Sequence, residues 1–316
     1  MLLRQLEYLV ALARERHFAR AAAACHVSQP SLSAAIRKLE RELDVPIVRR
    51  GRRFAGLTPE GERVLLWAHR ILAERDGLLD DLSTMRGSLS GTLRMGAIPT
   101  ALTVAPLLTT PFCERHPHVR VSLESLSSHE ITRRLAEFDL DIAMTYLDGD
   151  SLGNVRTTPL YEERYLLLTP DDGELAGRAV VRWAEVATLA LCLLAPQMRN
   201  RRILDEIFAE AGAVVVPAIE TDTVSALYAH VATHRWSSVI AHAWLHMFGV
   251  PDGMRVVRLE SPSRAPRVGL VVADRTPEPV LARALLDAAR GVDMRAVLDR
   301  LLHGYLSGPS ARKNGT

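Results

Sequence analysis

RHFARAAAACHVSQPSLSAAIRKLERELDVPIVRR, residues 16–50, holds two helical patterns separated by a two-residue break. The first runs from about Phe18 to Ala24 and turns Phe18, Ala21, Ala22 and Cys25 inward; its alanines let another helix approach closely. After the break at His26-Val27, Ser28 is a good N-cap, and Pro30 is tolerated in a first turn that has no intrahelical donors to lose. The next helix is expected to bury Leu32, Ile36, Leu39 and Leu43 and to display Gln29, Ser31, Ser33, Arg37 and Lys38. Small polar groups at the N-terminal end with cations behind them suit a helix that enters a major groove end-on: Gln pairs with adenine and the cations meet phosphate. Leu6, Leu9, Val10 and Ala13 mark a further amphipathic helix upstream, which completes a helix-turn-helix.

Beyond Val45-Pro46, Arg49-Arg50-Gly51-Arg52-Arg53 puts four arginines around a glycine, a turn that cannot be buried. A charge run of this kind is usually a solvated loop. Beside a helix-turn-helix it reads as a wing, with Arg50, Arg52 and Arg53 gripping the phosphate backbone or minor groove. The charge distribution agrees. Over all 316 residues the net charge is only +2, but residues 1–57 carry 11 basic and 5 acidic side chains, residues 58–90 carry 4 and 6, and residues 91–316 carry 24 and 26. The excess cation sits on one small segment, which points to double-stranded DNA as the partner of that segment alone.

Residues 16–50 followed by LTPEGE, residues 57–62, resemble the signature of LysR-type transcriptional regulators, whose SQPSLSxxIxxLExxL pattern is matched here. The resemblance implies an α/β protein overall. Its parts would be an all-α winged helix-turn-helix (1–57), a linker and dimerisation helix (58–87), a hinge (88–91), an effector-binding domain like periplasmic binding proteins (92–306) and a flexible tail (307–316). The effector domain would have lobe I at about 92–161 and 268–306 and lobe II at about 162–267. The resemblance also implies DNA contacts from Gln29, Pro30, Ser33 and Arg37, with Ser28 beside them a further candidate, a homodimer that commonly assembles into a homotetramer, and RNA polymerase as a further candidate partner. Ala34-Ala35 stands where the family has a long polar or basic pair, and Val48 where it has an aromatic.

In the middle segment Thr58 is a candidate N-cap and Pro59 fits the first helical position. Val64, Ala68, Ile71, Leu78, Leu82 and Met85 then step as a heptad seam interrupted at Arg75, which is expected to end the seam or to pair with an acid across a subunit interface. A long helix with a narrow apolar stripe and charged flanks needs a partner helix, and a second copy of the chain is the preferred partner over the helix's own domain.

From Thr92 onward short apolar runs alternate with helical patterns, which argues for parallel sheets in α/β domains. Expected strands are Leu93–Ile98, Val119–Ser125, Asp141–Tyr146, Tyr165–Thr169, Ala190–Leu194, Val239–Ala241, Arg255–Leu259 and Val268–Ala273. Expected helices are Leu102–Arg115, His129–Phe138, Arg201–Glu210, Val224–Ala232, Glu278–Arg290 and one near Met294–Tyr305. Ligands in such sheets bind past strand C-termini near helix N-termini. That picks out Thr100, Ser127 and Ser128 after the first two strands, and Gln197, Arg199 and Asn200 ahead of a helix. Thr221 and Thr223 precede another helix, and Ser237 and His242 flank the Val239–Ala241 strand. Hydroxyls, an amide and an arginine at helix N-termini suit a small organic anion, although each hydroxyl alone is equally well explained as a cap. His234-Arg235-Trp236-Ser237 occupies a place where many members of the family have a Gly-x-Gly turn.

Other signals are weaker. Gly149-Asp150-Ser151-Leu152-Gly153 fits the hydrolase nucleophile elbow, but that elbow needs a following helix, and Asn154 to Pro159 reads as loop. The histidine pairs His230/His234 and His242/His246 have helical spacing for a metal but no accompanying Cys or HExxH context. Cys25, Cys113 and Cys192 are far apart, with no CxxC spacing, which fits a reducing cytoplasm and offers no resolving partner for a redox switch. No cofactor, metal site, enzyme activity or membrane segment is expected. An enzyme fused to a DNA-binding head and a regulator with a vestigial cleft are the competing readings.

Overall fold

The computed structural model describes residues 1–49, 54–85, 89–149, 152–260, 262 and 264–307. The chain divides into two compact units, residues 1–91 with 133–140, and residues 92–132 with 141–316.

The first unit begins with α1 (Leu3–Glu15), α2 (Phe18–Ala24) and α3 (Gln29–Leu43). Leu6, Leu9 and Leu12 of α1 bury against Ala21 and Ala22 of α2 and Leu32, Ile36 and Leu39 of α3. The α2–α3 turn passes through His26 at φ 54°, a left-handed conformation that a polar side chain tolerates better than a branched one. Leu43, expected inside, is 38% exposed, because the helix runs out at Asp44 beyond the edge of the three-helix core.

Helix α4 (Pro59–Met85) follows. The expected seam splits in two. Ala68 and Leu72 are buried in the head's core, with Val64, Leu65 and Ile71 packed beside them, so this half of the helix is folded onto its own domain. Beyond Arg75 the stripe lies open: Leu78 is 59%, Leu82 44% and Met85 84% exposed. Arg75 does not need an acid from another subunit. Its guanidinium is held by Glu7 of α1 and by Asp76 at 2.7 Å, which raises its already high pKa through those two hydrogen bonds. The reason is geometric: a narrow seam seven turns long cannot stay against a head only three helices wide.

From Gly91 onward the chain carries β1 (Gly91–Ala97), α5 (Pro106–Arg115), β2 (Val119–Ser125), α6 (Ser128–Ala136), β3 (Ile142–Tyr146), β4 (Val155–Glu162) and β5 (Tyr165–Pro170). It continues with β6 (Val180–Val181), α7 (Trp183–Val186), β7 (Cys192–Leu194), α8 (Arg199–Glu210), β8 (Ile219–Thr221), α9 (Val224–Val231), β9 (Ser238–Ala241), α10 (Leu245–Phe248), β10 (Met254–Leu259), β11 (Arg267–Ala273), α11 (Val280–Arg290) and α12 (Met294–Ser307). Lobe I holds a sheet ordered β2-β1-β3-β11-β4, and lobe II holds the sheet β6-β10-β5-β9 with the pair β7-β8.

The sheets are mixed, not parallel as expected. β1 runs parallel to β3, and β7 to β8, but β11 is antiparallel to β3 and β4, and β5 is antiparallel to β9 and β10. The chain leaves lobe I along β4 and returns along β11, so these two neighbours must point in opposite directions. Asn154 to Pro159, read as loop, is largely the strand β4, because Val155–Glu162 pairs along the length of β11. The helix expected at Leu102–Arg115 is a 3-10 turn at Ala101–Thr103 and then α5, which starts at Pro106, where a missing N–H costs nothing. β6, β8, α7 and α10 lacked a usable periodic signal, each being four residues or fewer. Helix α12 packs against β4 and also against β10 and α10, so it touches both lobes. No helix among the described residues is long and apolar enough to cross a membrane.

Candidate functional site

The head presents the N-terminus of α3. The Ser28 hydroxyl accepts the Ser31 N–H at 3.3 Å and lies 2.8 Å from the Ser31 hydroxyl, so both serines are engaged as the cap. Gln29, Pro30, Ser31, Arg37 and Lys38 are exposed and Ser33 is half-buried. Lys38 sits 3.9 Å from Glu42, a contact too long and exposed to hold it. Arg37 has no ion pair among the described residues. Ala34 is exposed as well, so the face carries a small gap between Gln29 and Arg37.

The stems of the wing are ordered by α3. Glu40 Oε1 accepts the Ile47 and Val48 N–H groups at 2.8 and 3.0 Å, a carboxylate that sequence reasoning left unassigned. Val48 and Leu57 form an antiparallel bridge, and Arg49 donates from N to Gly56 O at 3.0 Å and from Nε to Leu57 O at 2.8 Å. Arg49 is therefore committed to the stem. Arg50, Arg52 and Arg53 lie outside the described residues, as do Asp150 and Ser151 of the Gly149–Gly153 motif, Ser88 of the expected hinge and most of the expected tail.

In the second unit the ten candidate effector residues do not form one cluster. Ser128 and Arg199 line a cavity of about 100 Å³ together with His129, Thr132, Tyr146 and Asp148. Beside it, the Tyr146 hydroxyl accepts from Asn200 Nδ2 at 3.2 Å and lies 3.5 Å from Thr100 Oγ1. Thr100 and Asn200 thus meet at a tyrosine that the sequence reading passed over as the last residue of a strand. The remaining candidates are explained by local chemistry. Ser127 caps α6 in a reciprocal box with Glu130, its hydroxyl accepting the Glu130 N–H at 3.2 Å while Glu130 Oε2 takes the Ser127 N–H at 3.0 Å. Thr223 caps α9 through the Ala226 N–H at 3.2 Å, and Thr221 accepts from Thr223 N at 3.5 Å. The Ser237 hydroxyl is engaged by Thr169 Oγ1 at 2.9 Å in the core of lobe II. His242 is 2% exposed, and its Nδ1 accepts the Arg164 N–H at 3.1 Å; burial, aided by the Arg164 charge, pushes its pKa down to about 4 and keeps it neutral. Gln197 is exposed and outside the cavity lining.

Two features favour negative charge in the cavity. Helix α8 starts two residues earlier than expected, so Arg199 and Asn200 are its first turn, and Met198 supplies no side-chain cap. Its first N–H groups and the positive end of its dipole are left for something else. Arg199 Nε is buried with no hydrogen-bond partner among the described residues, and its Nη1 reaches Glu206 only at 3.5 Å. Gly149 packs directly beneath the guanidinium: a Cβ there would overlap Arg199 Nη2. Asp148, the one acid of the lining among the described residues, is neutralised by Arg267, whose N and Nη2 donate at 2.8 and 2.6 Å and hold the carboxyl below its usual range.

Comparison with known proteins accounts for both units. Residues 3–62 match the bacterial regulatory helix-turn-helix protein, lysR family, and residues 86–293 match the LysR substrate binding domain. The chain is 36% identical over 195 residues to the DNA-binding transcriptional dual regulator OxyR of Escherichia coli, covering 61% of this chain and 64% of that protein. It is 31% identical over 304 residues to a probable hydrogen peroxide-inducible genes activator of Streptomyces viridosporus, covering 94% of this chain and 97% of the relative. Among solved structures, a full-length OxyR variant from Pseudomonas aeruginosa aligns with TM-score 0.73 at 27% identity over 93% of this chain and 99% of that one. Full-length CbnR complexed with its target DNA shares the fold, with TM-score 0.67 at 21% identity over 92% and 99% of the two chains. With a head, a long helix and a two-lobed α/β unit in this order, and with both family matches in register with them, the chain belongs to the LysR family of bacterial regulatory proteins.

Proposed function

We propose that this chain is a sequence-specific DNA-binding transcriptional regulator whose DNA binding or bending is modulated by a small organic anion held in the interlobe cavity. The observation that carries the DNA half is the exposed N-terminal face of α3, with Gln29 foremost and the exposed Arg37 behind it, on the only segment with a cationic excess. In this reading residues 1–57 bind DNA, 58–87 dimerise, 88–91 form a hinge and 92–306 sense the effector. The open half of α4 supports a homodimer that places two recognition helices in successive major grooves. A homotetramer, a contact with RNA polymerase and a cytoplasmic location complete the proposal, by analogy with the family.

Gln29→Ala is expected to lose roughly 1–3 kcal/mol of discrimination between operator and random duplex while keeping most of its affinity for random DNA. Competition binding at fixed salt measures this, and equal losses on both duplexes would remove Gln29 from base reading. Arg37→Ala, Arg52→Ala and Arg53→Ala should instead weaken all sequences alike and flatten the salt slope.

The observation that carries the effector half is Arg199, a cation whose buried Nε has no partner among the described residues, at the start of α8, where Met198 supplies no side-chain cap. Arg199→Ala is expected to abolish the response to a small carboxylate and to spare operator binding without it. The check is calorimetry with a panel of such anions together with footprinting of the same variant; an unchanged dissociation constant would take Arg199 out of the site. A thiol-based response like that suggested by the relatives' peroxide-related names has less support. Cys192 is fully buried and burial pushes its thiol up to about 11, the opposite of a reactive thiolate, and Cys113 is only half-buried at the edge of α5.

A further inference from the structure

Glu163 lies in the first crossing segment between the lobes, and its backbone N–H donates to Pro266 O, in the second crossing segment, at 2.9 Å. It is completely buried, with no water-exposed surface. Its Oε2 accepts two phenol hydroxyls, from Tyr146 of lobe I at 2.8 Å and from Tyr165 of lobe II at 3.3 Å, while its Oε1 has no partner among the described residues. Tyr146 in turn accepts from Asn200 of α8 at 3.2 Å, so one chain of hydrogen bonds runs from lobe II through Tyr146 to the hinge. The Tyr161 hydroxyl, two residues away on β4, is also buried without a partner. The groups that face the carboxyl are thus three phenols: Tyr146 from β3, Tyr161 from β4 and Tyr165 from β5. Arg164, the next residue along the chain, pairs instead with Asp299 of α12 at 3.1 Å, and His242 behind the Tyr161 ring is neutral. A carboxylate in a dry site with two neutral donors and no cation is costly to ionise.

We propose that Glu163 is a proton-binding site that latches the two lobes: the neutral acid holds the Asn200–Tyr146–Glu163–Tyr165 chain dry and closed, and ionisation loosens it. Burial raises the carboxyl from 4.5 to about 7, against the lowering effect of the Tyr146 and Tyr165 hydrogen bonds. In an opened, hydrated hinge the same group returns toward its ordinary range. A raised acid pKa in the closed form means that the closed form binds the extra proton, so closure is favoured at low pH and the advantage disappears as pH rises through about 7. If the cavity beside Tyr146 takes an effector, as proposed above, its occupancy is coupled to this proton; the latch itself does not depend on that reading.

The experiment is hydrogen exchange on the full-length protein without ligand, expressed as protection factors for peptides covering residues 163–168 and 199–204. Wild-type protection is expected to fall about 30-fold between pH 5.5 and 8.0, by up to about tenfold per pH unit below the carboxyl's pKa near 7 and little above it. Glu163→Gln, permanently neutral, is expected to keep high protection at both pH values. Tyr146→Phe removes a donor to the carboxylate and is expected to move the pH at which the fall levels off upward, which keeps the proposal testable should Glu163→Gln fail to fold. Wild-type protection independent of pH, or a pH dependence that survives in Glu163→Gln, overturns it, and neither outcome bears on whether the cavity binds an anion.

Discussion

Replacing Leu78 and Leu82 together with glutamate is expected to leave each chain folded but monomeric, and to cut affinity for an operator with two half-sites by on the order of 10²–10⁴-fold. Both leucines are largely exposed in the single chain, at 59% and 44%, on the part of α4 that runs past the head. The substitutions therefore lie outside the buried core of the head, which along α4 reaches Ala68 and Leu72 with Ile71 beside them. What they remove is the apolar area that a facing helix would cover, about 25 cal/mol for each Å² buried, and they place like charges against each other across the seam. With the link gone, the second head binds as an independent molecule and the effective concentration supplied by the first is lost. Sedimentation gives the mass, and anisotropy on duplexes with one and two half-sites gives the affinities. Binding to one half-site should be unchanged. A double variant that still sediments with the wild-type mass would show that α4 is not the dimer seam.

Gly61→Val is expected to destabilise the head by roughly 3 kcal/mol, the upper part of the range for forced overpacking. Gly61 stands in the first turn of α4, where a Cβ would overlap the Ile47 carbonyl, a backbone group that cannot swing aside. The junction is closed by Thr58, whose N–H donates to Ile47 O at 2.9 Å and whose Oγ1 donates to Pro46 O at 2.6 Å while accepting the Gly61 N–H at 2.9 Å. Ile47 itself is fully buried, so the collision cannot be relieved outward. Gly77 of the same helix is the control: a Cβ there meets nothing within 4 Å, and Gly77→Ala should stabilise the helix by about 1 kcal/mol. Urea unfolding of both variants tests the pair. Equal midpoints for Gly61→Val and wild type would mean that the α4 junction yields.

The recognition helix was legible because its signals are local. A cap, a proline in the first turn and an apolar step of four and three residues occupy one short stretch of chain, and the structure adds to them mainly the exposure of Leu43 and the clamp of Glu40 on the wing stem. The candidate effector residues were legible only in part. Arg199 and Ser128 lie where strand-to-helix reasoning put them, but Ser127 and Thr223 are caps of the same composition, and nothing local separates a hydroxyl that serves its own helix from one that faces a cavity. Ser237 and His242, at opposite ends of β9, are engaged by Thr169 and by the Arg164 N–H, partners about 70 residues away along the chain or more that no short window of sequence shows.

By itself the sequence determined the parts and their order: the head, with its concentrated charge and recognition face, the long helix, and alternating α/β elements beyond it. These follow from periodicity, caps and composition, which act over a few residues. Only the tertiary structure decided which half of the long helix is already covered, that Arg75 answers Glu7 within one chain, and that sheets read as parallel are mixed. It also decided that Tyr146 and Glu163, ordinary residues along the chain, meet at the hinge as a buried hydrogen-bonded chain between lobes. Those outcomes depend on which distant residues are brought together and dried, and burial of that kind has no signature within a short window of sequence.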